Sequence, residues 1–110
     1  MKIINKFSSI RKGVSFNGRD IKFYTGTGVS KTPLDIVGAS IEMNFKNSEE
    51  GSVIFSFKTA DNSITITAPG VARMMPRVMN YQKNNYLTDI VLTFPSGTVK
   101  NYVRIYWEIN

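Results

Sequence analysis

Apolar and polar residues alternate with a period of two along most of the chain. From Ser40 to Lys46 the alternation has no miss: Ile41, Met43 and Phe45 point one way and Glu42, Asn44 and Lys46 the other. This is the pattern of a half-buried antiparallel strand. After the turn-forming stretch Asn47-Ser48-Glu49-Glu50-Gly51, Val53, Phe55 and Phe57 repeat it. Beyond Asp61-Asn62, Ile64 and Ile66 alternate with threonines, so the three segments predict a meander. A second hairpin is expected near the C-terminus. Ile90, Leu92 and Phe94 lead into the turn Pro95-Ser96-Gly97, and Val103, Ile105, Trp107 and Ile109 lead out of it. Val14-Phe16 and Ile21-Phe23 are shorter strand candidates.

The stretch from Val71 to Met79 breaks the rule, since its apolar positions suit a helix. Pro76 would cost about 3 kcal/mol in a helix interior. An irregular edge strand or bulge is therefore expected, with one helical turn as the rival. In all, seven or eight short strands predict an all-β fold, an antiparallel sandwich of one domain.

Composition narrows the chemistry. The 110 residues include no Cys and no His. That excludes a Ser-His-Asp triad, a thiol nucleophile, a disulfide framework and zinc sites of the usual ligand type. No apolar run approaches the ~20 residues of a membrane-spanning helix. Glu49-Glu50 reads as a solubilising hairpin tip. Gly26-Thr27-Gly28 lacks the Lys-Ser/Thr pair and following helix of a phosphate loop. Asp35 and Asp89 are expected to bond nearby backbone amides. No enzyme activity and no cofactor are implied.

Charge adds an asymmetry. The net charge is +6, and residues 1–33 hold seven basic groups against one acid. The remainder is neutral. Residues 1–12 carry Lys2, Lys6, Arg11 and Lys12 among Ile3, Ile4, Phe7 and Ile10. Apolar groups are unnecessary in a solvated tail, so this basic-apolar segment reads as an arm docking on a neighbouring subunit, ahead of a domain spanning 13–110. The other readings are a first strand of the chain's own domain and a basic tail that neutralises nucleic-acid phosphates. Arg73 and Arg77, with Lys83, form a second basic group interleaved with Met74, Met75 and Met79. Tyr102, Arg104 and Tyr106 share the outward face of the last strand, a grouping suited to a protein interface or to single-stranded nucleic acid.

Residues 33–110 resemble a family of small bacteriophage structural proteins. The resemblance is carried by Pro33-Leu34-Asp35-Ile36-Val37-Gly38-Ala39-Ser40-Ile41, by Asp61-Asn62-Ser63-Ile64-Thr65-Ile66, and by Tyr86-Leu87-Thr88-Asp89-Ile90 with Pro95-Ser96-Gly97-Thr98-Val99. Val37 stands where the family usually has Thr, and Asn85 where Gly commonly precedes the Tyr. The resemblance implies an immunoglobulin-like β-sandwich. It also implies a role as a tail, baseplate or head–tail component of the virion, made in the host bacterial cytoplasm and meeting copies of itself and other virion proteins. The alternative function is a nucleic-acid-binding module using the basic first third and the Tyr/Arg strand, with a carbohydrate- or receptor-binding module third.

Overall fold

The computed structural model describes residues 3–26 and 32–110. Lys2, with residues 27–31 of the glycine-containing loop, lies outside them. The described chain is nearly all β. Its strands are β1 (Ile3–Ile10), β2 (Ser15–Phe16), β3 (Arg19–Lys22), β4 (Tyr24–Thr25), β5 (Thr32–Pro33), β6 (Ser40–Lys46), β7 (Val53–Lys58), β8 (Ile64–Ala68), β9 (Val71–Met74), β10 (Arg77–Val78), β11 (Asn84–Thr93) and β12 (Val99–Ile109). A single 3₁₀ turn, Thr59–Asp61, interrupts them among the described residues.

Five strands form the main sheet in the order β1-β12-β11-β6-β7, and three more form a sheet β3-β9-β8. The pairs β2-β10 and β4-β5 are separate two-stranded ladders. The expectation of a purely antiparallel architecture needs correction. β1 runs parallel to β12, from Ile3 opposite Val103 to Ile10 opposite Ile109. β12 is tied to β11 by a tight turn, which forces antiparallel pairing. Its other side is filled by a strand from the far end of the sequence, whose direction no hairpin dictates.

Residues 3–10 therefore follow the reading of the N-terminal segment as a first strand of the chain's own domain. They form an edge strand of the chain's own sheet, and Phe7 is buried in its core. The step from Phe7 to Ile10 opposes only Trp107 to Ile109, so β1 carries a bulge at Ser8-Ser9.

The expected meander also ends early. β6 and β7 pair as predicted, with Phe45 opposite Phe55, but β8 leaves the sheet. The 3₁₀ turn and Asn62, at φ 65°, redirect the chain. An Asn tolerates that left-handed geometry better than most residues. β8 then pairs with β9 across Pro69-Gly70. Gly70 has φ 70°, and a Cβ there would lie 2.8 Å from the Phe23 carbonyl oxygen, so only glycine fits.

The stretch 71–79 is strand, not helix. Pro76 falls between β9 and β10, where its missing N–H breaks no ladder. β9 is, however, the middle strand of its sheet rather than an edge. Met74 and Met79 are fully buried, while Met75 is half-exposed and accepts from Thr65 Oγ1 at 3.4 Å.

Inward residues of both sheets meet in one core. Ile41, Met43, Phe45, Phe57, Tyr86, Ile90, Leu92, Ile105, Trp107 and Ile109 come from the main sheet, and Ile64, Ala72 and Met74 from the smaller one. Trp107 lies at its aromatic centre, edge-on to Phe7 at 5.3 Å, Phe16 at 5.0 Å and Phe45 at 5.6 Å. Edge-to-face pairs of this kind contribute about 0.5–1.5 kcal/mol each beyond the area they bury.

Candidate interaction surfaces

β1 presents its outer edge to a groove. The floor is Phe7, Phe16 and Trp107, and Ser8, Ser9 and Arg19 form the rim. The alternation of β1 turns Phe7 inward and leaves Lys6 exposed on the opposite face. The bulge aims the Ser8 carbonyl at the Trp107 indole, which donates to it at 3.1 Å. Ser9 Oγ donates to Glu108 at 2.8 Å. The Arg19 guanidinium lies 4.4 Å from the centre of the Phe7 ring, a cation–π contact that closes the far side. Beyond β1 the chain is held by Lys12 N–H donating to the Asn110 carbonyl at 2.8 Å, and Arg11 and Lys12 are exposed. Five basic side chains, Lys6, Arg11, Lys12, Arg19 and Lys22, thus stand exposed on the first three strands and their connections.

A second concavity lies on the outward face of the main sheet, among Asn44, Lys46, Glu49, Leu87, Asp89, Val91 and Arg104. Arg104 is its centre and is largely covered. Its Nε donates to Asp89 at 3.2 Å and its Nη2 to Glu49 at 3.1 Å; Nη1 also pairs with Glu49. Asp89 faces Arg104 directly across the β11–β12 ladder. Glu49 reaches it from the turn between β6 and β7, crossing over β11. That turn is therefore a clasp as well as a solvated tip, although Glu50 is exposed. Asp89 engages a side-chain cation, whereas Asp35 does bond a nearby amide, the N–H of Val37 at 3.1 Å. Tyr106 is half-buried on this face, and the side chain of Tyr102 lies outside the described residues. The expected Tyr-Arg-Tyr grouping thus contains an arginine already bound to two carboxylates.

The basic group at 73–83 does not form one surface. Arg73 donates to Asp20 at 3.1 Å and to the Asn17 carbonyl at 3.2 Å, tying β9 to the turn before β3. Arg77 lies 3.9 Å from the centre of the Phe57 ring and donates to the Ser56 carbonyl at 2.9 Å and to Tyr81 Oη at 3.3 Å. Both act within the fold. Lys83 is exposed.

Two ionisable groups are displaced from their ordinary behaviour. The Asp61 carboxyl is held below its usual value, first by the Ser63 hydroxyl and then by the Ser63 N–H. Burial pushes the Tyr86 phenol up, and its hydroxyl donates to the Gln82 carbonyl. Among the described residues no three His, Cys, Asp or Glu side chains gather as a metal site, and no helix is long and apolar enough to cross a membrane.

No family model matches this chain, and neither a curated protein nor a solved structure matches it.

Proposed function

We propose that this chain is a non-enzymatic structural protein of a bacteriophage virion, a tail, baseplate or head–tail component that works by contact with neighbouring subunits. The fold proposed with it is an immunoglobulin-like sandwich. Three features support that fold. The run β12-β11-β6-β7 corresponds to strands G-F-C-C′ of a variable-type domain, and β3-β9-β8 to B-E-D. Tyr86, near the start of β11, hydrogen-bonds back to Gln82 in the manner of a tyrosine corner. The family resemblance of residues 33–110 agrees.

The observation that carries the contact role is the edge β1. It is eight residues long, rimmed by exposed basic side chains, and pairs with no strand on its outer side among the described residues. Natural sheets seldom leave such an edge without a device to manage it or a partner to use it. The nucleic-acid reading retains Lys6, Arg11 and Lys12. It is weakened because Arg73, Arg77 and Arg104 are each committed inside the fold.

Light scattering over a concentration series tests this reading on the full chain. A discrete oligomer is the expected result. A monomer at every concentration, together with steeply salt-dependent binding of single-stranded DNA, would overturn it in favour of nucleic acid.

A further inference from the structure

We infer that the groove beside β1 takes an extended acidic segment of a different protein, added to the main sheet as a sixth strand. This rests on the reading of the chain as a contact-making subunit and names the chemistry of its partner.

Edge addition requires free backbone groups for the new strand and a place for alternate side chains. β1 supplies the first, since among the described residues its outer side meets no strand. The groove supplies the second. Its volume is about 260 Å³, floored by Phe7, Phe16 and Trp107, which suits an apolar side chain of the incoming segment.

Charge selects the partner. Among the described residues Arg19 is the one charged residue lining the groove; Lys6 stands exposed on the opposite face of β1, and Arg11 and Lys12 are exposed on the turn that follows the strand. Of the neighbouring acids, Asp20 pairs with Arg73, while Glu108 accepts from the Ser9 hydroxyl and keeps its charge. An acidic strand with apolar residues toward the groove would set its carboxylates on the face of Lys6 and near Arg11 and Lys12 at the end of β1, where cations outnumber the one remaining acid, Glu108. A second copy pairing its own β1 antiparallel to this one about a two-fold axis would set the two Lys6 side chains near each other at the middle of the ladder, and like charges at an interface are disfavoured. The occupant is therefore an acidic segment and not this same edge.

A fluorescein-labelled peptide of alternating Glu and Val is the probe, followed by anisotropy and by amide hydrogen exchange on the full chain. Binding should protect amides within residues 3–10. Reversing two exposed charges, Arg11→Glu with Lys12→Glu, should weaken it by about tenfold or more, because rim charges set electrostatic complementarity. The same change of net charge at Lys46 and Lys58, near the opposite edge, should leave it nearly unchanged.

Equal losses from the two pairs would reduce the effect to net charge and overturn the inference. So would equal binding of a Lys-Val peptide. Single-stranded DNA that displaces the peptide and protects the same amides would assign the edge to nucleic acid. Protection of residues 3–10 by rising protein concentration alone would assign it to a second copy. A chain that stays monomeric yet binds the acidic peptide at β1 sustains this inference while removing self-assembly. An oligomer that ignores the peptide does the reverse.

Discussion

At one edge of the main sheet, β7 ends its ladder in side chains. Arg77 takes the outward carbonyl of Ser56, and Ser63 Oγ accepts the N–H of Lys58 at 2.8 Å. At the other edge, β1 meets no such cap beyond its bulge, and a groove runs beside it. Both edges belong to one sheet and share one core, so packing does not explain the difference. Natural edges are protected by short strands, bulges, inserted charges or covering groups. β7 is shorter, and side chains take its outward groups at Ser56 and Lys58. β1 is long and carries only the bulge at Ser8-Ser9 and the charge of Lys6, which discourage identical partners more than an oppositely charged one.

The comparison breaks most severely at Phe7. Phe7→Ala removes the ring that fixes β1 to Trp107 and supports Arg19. It should cost about 3 kcal/mol or more, as buried Phe→Ala changes do. Urea unfolding would measure the loss, and hydrogen exchange should show β1 opening before the rest of the sheet. Equal opening at β1 and β7 would mean that the edges are not independent.

A smaller effect is expected where the closed edge is opened. Arg77→Met keeps a long side chain over Phe57 but leaves the Ser56 carbonyl without its donor. The cost should be about 1–3 kcal/mol, the penalty for an abandoned polar group. The variant should also begin to associate through β7, seen as a rising mass in light scattering. A variant that stays as monodisperse as the parent would show that Arg77 does not guard that edge.

The mildest test concerns the turn that positions Ser63. Asp61 is ionised in the fold at pH values where the unfolded chain already binds a proton, because Ser63 donates to it. Its depressed value means that the stabilisation is present above the ordinary 3.8 and is lost as pH falls through the lower folded value. The stability difference between the parent and Asp61→Asn should therefore be small at neutral pH and shrink on acidification below 3.8. A difference that grows on acidification would contradict the assignment.

Much of the main sheet was legible from alternation alone. Ile41, Met43, Phe45, Phe55, Phe57, Ile90, Leu92, Ile105, Trp107 and Ile109 are inward as the period of two marks them, since a slip of one position would turn them all to solvent; Val53, marked with them, is exposed because the ladder shifts register between Phe55 and Val53. The pairing of β1 with β12 was not legible, because nothing local records a partner a hundred positions away. Nor was the departure of β8. Its alternation continues that of β7, and only Asn62 signals the change of sheet. The Arg104 clasp was hidden by a bulge. Counting back from the turn at Pro95-Ser96-Gly97, where Thr93 faces Val99, sets Asp89 opposite Val103; the register shift between Asp89 and Val91 moves it opposite Arg104. Arg73 and Arg77 resemble surface charges in the sequence because their partners, Asp20 and Phe57, come from distant strands.

The parallel pairing of β1 with β12 also sets an order of events in the life of the chain. Ser8 and the Trp107 that bonds it are 99 residues apart. During synthesis β1 therefore leaves the ribosome well before its ladder partner does. Contacts of such separation are slow to form because the closure of a long loop precedes any reward from pairing. Until β12 arrives, Phe7 lacks the Trp107 ring against which it packs.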